Sequence, residues 1–125
     1  QKAYEKLYAA ENDAVYGDTF KVAGTKVTGI GNNVTLEFHD MDFGEEGCGS
    51  VTICGRTHND KDAIHISFQE GDQETRQLIE FKGATDESYQ QLTLPLQCIK
   101  GKKTVRFIFL PGSNFDFSWV QFHRK

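Results

Sequence analysis

Short stretches in which apolar and polar residues alternate recur along the chain and predict β-strands. Residues 34–38 read Val-Thr-Leu-Glu-Phe, which places three apolar side chains on one face and two polar ones on the other. Residues 63–68, Ala-Ile-His-Ile-Ser-Phe, repeat the pattern after an Asn-Asp-Lys-Asp turn. Further strands are predicted at residues 49–55, 77–81, 92–98 and 104–109. Short strands spaced by about 8 to 12 residues are typical of a β-sandwich or barrel.

The most aromatic stretch of the chain, residues 110–122, begins with a Pro-Gly turn. It reads Leu-Pro-Gly-Ser-Asn-Phe-Asp-Phe-Ser-Trp-Val-Gln-Phe and predicts a last strand that closes the sandwich. Strict alternation places Phe117 and Trp119 on the same face of that strand. Asn114 and Asp116 stand at its entrance, where we expect polar groups exposed at the rim of the sandwich. Loops at such a rim commonly carry binding residues.

Length and composition fit one folded domain spanning residues 1–125. A chain of this size buries about two thirds of its unfolded surface, and its 12 glycines indicate many turns. We therefore predict an all-β domain, an antiparallel β-sandwich. Residues 3–10 fit either a strand or a short helix. Pro95 has no amide donor, so its strand belongs at a sheet edge or carries a bulge.

The charge argues against a nucleic acid or a membrane as the partner. The formal net charge is −4 and the pI is near 5.5, whereas binding to phosphates needs a clustered positive field. The basic segment Lys-Gly-Lys-Lys at residues 100–103 is typical of a hairpin turn. No apolar run approaches the roughly 20 residues that span a bilayer. The three cysteines lack metal-ligand spacing and predict free thiols.

Catalytic motifs are not found in the sequence, which leaves binding as the favoured class of function. The histidines show no His-x-x-x-His spacing, and no Gly-x-Ser-x-Gly elbow or Walker loop occurs. A pair of carboxylates facing across a cleft, as in glycosidases, stays open, although the acidic runs at residues 40–46 and 86–87 are typical of solvated loops. Sugars are held by an exposed aromatic face and a few fixed polar groups. Tyr89, in the polar segment Asp-Glu-Ser-Tyr-Gln-Gln, provides either such a face or an ordinary surface ring.

Four segments, residues 8–11, 27–38, 101–109 and 114–122, together resemble the sixth family of carbohydrate-binding modules. The versions attached to bacterial family-two glycoside hydrolases, the β-galactosidase-like enzymes, are especially similar. The resemblance implies a jelly-roll β-sandwich, a sugar cleft at the loop-rich end and often a structural calcium ion. It also implies a non-catalytic role, with an oligo- or polysaccharide and a parent hydrolase as partners and residues 1–125 as one module of a larger enzyme.

The site residues of that family carry over to this chain in part. Its cleft is built from two aromatic residues and an asparagine. One aromatic falls near Tyr89, and the asparagine aligns with Asp116. The second aromatic falls at Thr35, which cannot stack on a sugar, so the cleft is either weakened or rebuilt with Asn114 and either Phe20 or Phe115.

The calcium ligands of the family carry over less well, and two hypotheses for the function result. Of the leading pair of glutamates only Glu11 matches, and the carboxylate of the last strand falls at Ser118. Glu11 is therefore the one ligand that the resemblance retains. The first hypothesis is a module that binds a glycan through Tyr89, Asn114 and Asp116. The second is a structural module that docks on its parent hydrolase and has lost sugar binding.

Overall fold

The computed structural model describes residues 2–125, which form eleven β-strands and one short 3-10 helix at Ala9–Glu11. The strands are β1 (Leu7–Tyr8), β2 (Ala14–Tyr16), β3 (Lys21–Ala23), β4 (Lys26–Ile30), β5 (Val34–Asp42), β6 (Cys48–Thr57), β7 (Lys61–Glu70), β8 (Gln73–Lys82), β9 (Gln90–Ile99), β10 (Lys102–Phe109) and β11 (Phe115–Arg124). The all-β prediction is confirmed. Within the described residues, no helix is long and apolar enough to cross a membrane.

The strands form two antiparallel sheets that pack face to face. The six-stranded sheet has the order β3-β4-β11-β6-β9, with β1 also paired to β11, and the five-stranded sheet has the order β2-β5-β10-β7-β8. Only the β3–β4 and β7–β8 connections stay within one sheet, so the chain crosses between the layers at the other turns. This arrangement confirms the predicted antiparallel sandwich of the jelly-roll type.

Phenyl rings fill the space between the two sheets. Phe107 of β10 lies edge-on to Phe38 at 5.9 Å and to Phe117 of the facing sheet at 5.4 Å, measured between ring centroids. Phe43 and Phe122 make a similar contact at 5.1 Å. Such pairs add about 0.5 to 1.5 kcal/mol each beyond the burial of their apolar surface. The rings therefore hold the layers together without a disulfide, in keeping with the three free cysteines.

A bulge in β11 changes the predicted faces of its second half. The register of β11 against β6 shifts between Phe117 and Trp119, so that Ser118 is an extra residue. Phe117 and Val120 consequently both lie in the core. Trp119 lies outside this core, with the ammonium of Lys6 4.4 Å from its ring centroid. The expectation that Phe117 and Trp119 share a face was wrong because alternation breaks at a bulge.

Two features protect β9, an edge strand of the six-stranded sheet. Pro95 lies in β9, the edge strand of the six-stranded sheet, as its missing amide donor predicts. The side-chain amide of Gln77 on β8 donates to the carbonyl of Gln97 at 3.2 Å and accepts from its N–H at 2.8 Å. This amide occupies the backbone groups that an additional strand would otherwise pair with.

The basic segment at residues 100–103 is a turn, but it does not make a hairpin. Strand β9 ends at Ile99 and β10 begins at Lys102, so the turn is as short as predicted. The two strands belong to different sheets, however, and each pairs with other neighbours. Sequence spacing reveals a tight turn but not whether the next strand returns to the same sheet.

Candidate functional site

Four loops meet at one end of the sandwich, which we call the loop end. They are residues 31–33, 58–60, 83–89 and 110–114. The N–H of Gly112 donates to Oδ1 of Asn32 at 2.8 Å, and Nδ2 of Asn59 donates to the carbonyl of Gly112 at 2.9 Å. The N–H of His58 donates to the carbonyl of Asn114 at 2.9 Å. These bonds therefore fix the loops at residues 31–33, 58–60 and 110–114 relative to one another.

A buried carboxylate, Asp116 of β11, lies beneath the loop end. Its Oδ1 accepts the N–H of Gly29 at 2.9 Å, and its Oδ2 accepts Nε of Arg56 at 2.7 Å. Oδ2 is also 2.9 Å from Nε2 of His58. Burial raises the pKa of Asp116, but the bonds from Arg56, Gly29 and His58 outweigh it and lower the pKa below its usual value. Asp116 is therefore ionised and holds three neighbouring elements in place.

His58 connects this carboxylate to the loop at residues 83–89. Its Nδ1 lies 2.5 Å from Oε1 of Glu87, on the side of the ring opposite to Asp116. Hydrogen bonds to Glu87 and Asp116 raise the pKa of His58, because both carboxylates favour the protonated ring. Glu87 itself has a φ of 56°, a conformation that residues other than glycine seldom adopt. The His58 bridge thus holds the loop that leads to Tyr89.

Tyr89 lies directly before β9 and is half-buried. Nζ of Lys26 is 4.3 Å from its ring centroid, and Cζ of Arg56 is 4.8 Å from it. Both lie within the roughly 6 Å reach of a cation–π interaction. Burial and the charge of Asp116 raise the pKa of Tyr89, so its hydroxyl is neutral at pH 7. We call the following residues the Tyr89 cluster: Lys26, Arg56, His58, Tyr89 and Asp116.

The three predicted binding residues lie at the same end of the molecule in different environments. Tyr89 is half-buried, and Asn114 is exposed, with its backbone rather than its side chain bonded to His58. Asp116 is only 4% exposed, so the expectation of an exposed carboxylate at the rim was wrong. Arg56 and His58 cover it. The roles of the three residues in binding stay predictions.

Three members of the Tyr89 cluster, Lys26, Arg56 and His58, were not predicted from the sequence. Arg56 directly follows the strand predicted at residues 49–55, and His58 is two residues further on. Because alternate residues of an extended chain lie on one face, this spacing was the available signal that the two side chains lie together. Arg56 faces Asp116 because β6 pairs with β11 in that register. The pairing joins segments 60 residues apart in sequence, and the alternation pattern does not reveal it.

Thr35, at the second aromatic position of the resembling family, lies away from the Tyr89 cluster. It is on β5 in the five-stranded sheet, paired with Tyr16 of β2 and Ile108 of β10. The residue is 7% exposed. Thr35 therefore offers no surface on which a sugar could stack, as expected for a side chain without an aromatic ring.

The residues of this chain do not fit the calcium site implied by the resemblance. Oε1 of Glu11 accepts the N–H of Tyr8 at 2.9 Å and so closes the 3-10 helix. Ser118, at the position of the missing carboxylate, has only a hydroxyl group and brings no negative charge to a cation. In residues 2–125, no group of three or more His, Cys, Asp or Glu side chains is placed to hold a metal ion.

A cavity of about 520 Å³ opens at the end of the sandwich opposite to the loop end. Its lining consists of Asp42, Gly44, Glu45, Lys100 and Gly101. None of these five residues has an aromatic ring, and the ring of Tyr4 lines a smaller adjoining cavity of about 230 Å³. The Tyr89 cluster combines a ring with fixed donors and is the better candidate site.

Solved structures share this fold, although no protein-family model and no curated protein matches the chain. Family 6 carbohydrate-binding modules superpose on nearly its whole length. One of them, from Clostridium stercorarium and in complex with cellobiose, is 20% identical with a TM-score of 0.84, and the match covers 100% of this chain and 97% of that chain. At this identity the likeness establishes the fold.

Two further structures show the contexts in which the fold occurs. A glycoside hydrolase family 43 arabinoxylan arabinofuranohydrolase from Bacillus subtilis is 17% identical with a TM-score of 0.79, and the match covers 99% of this chain but 28% of the enzyme. A carbohydrate-binding module of the CBM36 type, in complex with calcium and xylotriose, is 12% identical with a TM-score of 0.71, with 94% of this chain and 98% of that chain covered. The fold is thus found both alone and within a hydrolase, and in one case with calcium.

Proposed function

We propose that the chain is a non-catalytic carbohydrate-binding module that holds a glycan at the loop end, against Tyr89. The observation that carries the proposal is the Tyr89 cluster, a half-buried ring with Lys26 and Arg56 over it, of which Arg56 is anchored to Asp116. Sugars place their C–H groups on an aromatic face and their hydroxyls on fixed polar groups. The fold supports this function, since the module from Clostridium stercorarium is in complex with cellobiose.

The members of the cluster have different roles in this proposal. Tyr89 stacks on the sugar ring, while Arg56 and the exposed side chain of Asn114 bond to hydroxyls. Asp116 acts indirectly, because both its oxygens accept bonds from the protein and so orient Arg56 and His58. Both oxygens of Asp116 accept bonds from the protein, so this carboxylate has no free oxygen with which to act as an acid or base in glycoside hydrolysis.

Calorimetric titration with cello-, xylo-, arabino- and galacto-oligosaccharides tests the proposal. At least one series should bind, and Tyr89→Ala should weaken that binding about tenfold, because stacking contributes about 1 to 1.5 kcal/mol. Tyr16→Ala is the matched control, since Tyr16 is an exposed tyrosine on the other sheet. Flat titrations with every series, or equal losses in the two variants, would contradict the proposal.

A second candidate is a structural module that docks on a parent hydrolase, such as a family-two β-galactosidase-like enzyme. Thr35 favours it, because the second stacking ring of the resembling family is lost. The family 43 hydrolase that contains this fold offers a precedent for such an attachment. Deleting the module from its parent enzyme should then lower the thermal midpoint of the catalytic domain. An unchanged midpoint, together with glycan binding by the isolated module, would eliminate this candidate.

We further propose that glycan binding by this chain does not depend on calcium. The carboxylate of Glu11 is already bonded to the backbone of Tyr8, and Ser118 replaces the carboxylate expected in the last strand. Adding EDTA to the purified chain should leave both its unfolding midpoint and its glycan affinity unchanged. A midpoint that falls on EDTA addition and recovers with calcium would show that a metal site exists.

A further inference from the structure

Two cations at the ring of Tyr89 have donor groups without a partner among residues 2–125. Lys26 contacts the ring of Tyr89, and it has no hydrogen bond or ion pair with any residue from 2 to 125. Arg56 bonds to Asp116 through Nε. Its two terminal nitrogens have no bond to the described part of the chain, and its side chain is 37% exposed. The protein thus leaves an ammonium and the end of a guanidinium open to solvent at the ring.

The negative charges near these cations are bonded to other groups, through both oxygens in Asp116 and through one oxygen in Glu87. Asp116 is buried and bonded to Arg56, His58 and Gly29. Glu87 is bonded to the far side of His58. The groups that remain available over the ring of Tyr89 itself are therefore donors with positive charge, although the chain as a whole carries a net charge of −4. A binding surface of this kind selects a ligand that brings acceptors and negative charge of its own.

A carboxylate meets these requirements better than a hydroxyl does. The guanidinium end of Arg56 can donate two parallel bonds to the two oxygens of a carboxylate. A sugar that stacks on Tyr89 also displaces whichever cation covers the ring face that it uses. After displacement by a neutral sugar, the cation has only water and hydroxyl groups to contact in place of the ring. A sugar with a carboxylate at its rim offers the displaced cation an ion pair beside the ring.

We propose, on the basis of the binding function proposed above, that the glycan at the Tyr89 cluster carries carboxylate groups, as uronic acid units do. Tyr89 stacks on the sugar ring, and Lys26 and Arg56 bind its carboxylate. Asn114 bonds to a neighbouring hydroxyl. Sulfate esters present similar oxygens but lack the planar geometry of a carboxylate, so a sulfated polymer should bind more weakly.

Matched pairs of polymers separate this inference from the binding function itself. Polygalacturonate and glucuronoxylan are titrated against the intact chain beside their carboxyl-reduced forms, with a sulfated galactan as the third arm. The carboxylated polymers should bind about tenfold more tightly than their reduced forms, because bonds between charged groups contribute about 1.5 kcal/mol or more. Their affinity should also fall as salt is raised from 50 to 500 mM.

The variant Lys26→Gln tests the assignment of the cation, and Lys6→Gln is its matched control. Lys6 lies over another ring of the same sheet, at 4.4 Å from the centroid of Trp119. Lys26→Gln should lose about fivefold affinity for the carboxylated polymers and none for the reduced ones, whereas Lys6→Gln should bind both as the parent does.

The possible outcomes distinguish the two proposals. Equal, salt-independent binding of the acidic and reduced polymers would overturn the carboxylate inference and leave the module function standing. Tighter binding of the sulfated galactan than of either carboxylated polymer would overturn it as well, in favour of a sulfated ligand. If none of the polymers or oligosaccharides bound, both proposals would be wrong.

Discussion

Two clusters on opposite sheets of the sandwich contain the same residue types, yet only one leaves donor groups free at an aromatic ring. In each, a carboxylate accepts bonds from an arginine and a histidine, and a tyrosine lies alongside. In the Tyr89 cluster the carboxylate is Asp116. The second group, which we call the Glu37 cluster, lies on the outer face of the five-stranded sheet and consists of Tyr16, Glu37, His39 and Arg106.

The tyrosine makes the difference between the two clusters. The hydroxyl of Tyr16 donates to Oε2 of Glu37 at 2.6 Å, and Nε of Arg106 donates to the same oxygen at 2.9 Å. Nη1 of Arg106 in turn donates to Oε1 of Gln69 at 2.5 Å. Tyr89 instead contacts cations with its ring. The hydroxyl of Tyr16 thus joins the carboxylate network, whereas the ring of Tyr89 lies against two cations, and this difference identifies the candidate site.

Among the variants, removal of the carboxylate from each cluster should change the free energy of unfolding most, and should change it by different amounts in the two clusters. Asp116→Ala leaves Arg56, His58 and the N–H of Gly29 without their acceptor in a buried place, and should lower the free energy of unfolding by about 3 kcal/mol. Glu37→Ala should cost about 2 kcal/mol, because the Glu37 side chain is itself more exposed, at 14% against 6% for Asp116. Urea unfolding at pH 7 measures both.

A further variant, Asp116→Asn, controls for the loss of side-chain volume in Asp116→Ala. It keeps one acceptor oxygen and should recover part of the stability lost in Asp116→Ala. If Asp116→Ala proved no more costly than Glu37→Ala, the buried carboxylate would not be the anchor of the loop end.

The hydroxyl of Tyr16 should matter for the acid stability of the Glu37 cluster. Its bond is the largest of the effects that lower the pKa of Glu37 to about 2, with His39 and Arg106 adding to it. Because that pKa is depressed, the stabilisation is complete above the ordinary value of 4.5 and is lost as the pH falls towards 2. Tyr16→Phe should raise the pKa of Glu37 and cost about 1 kcal/mol at pH 7.

Carboxyl chemical shifts of Glu37 and unfolding at pH 7 and pH 3 measure this effect. Tyr89→Phe is the control, because the hydroxyl of Tyr89 has no bond to the described residues and its removal should change neither quantity. A Glu37 titration that is the same in Tyr16→Phe and in the parent would show that Arg106 and His39 suffice.

The sequence predicts the fold better than the site, and the reason lies in the range of the interactions. The strands, the Pro95 edge and the loop end follow from local patterns such as alternation and turn residues. The face of Trp119 does not, because a bulge one residue long reverses the pattern. Arg56 and Asp116 meet only through a pairing of distant strands. That pairing also explains why Asp116 is buried rather than exposed.

The smallest expected effect is a dependence of the free energy of unfolding on pH, which arises at the loop end. The pKa of His58 is raised first by Glu87 and then by Asp116, above its ordinary value of 6.5. Since the folded pKa is the higher one, this stabilisation is complete below pH 6.5 and is lost as the pH rises through the folded pKa. The free energy of unfolding should therefore fall by up to about 1 kcal/mol between pH 5.5 and 8.5. His58→Gln should remove most of that slope, and Glu87→Gln should remove part of it, because Asp116 still faces the ring. A slope that survives in His58→Gln would place the titrating group elsewhere and would mean that the loop leading to Tyr89 is held without the charge of His58.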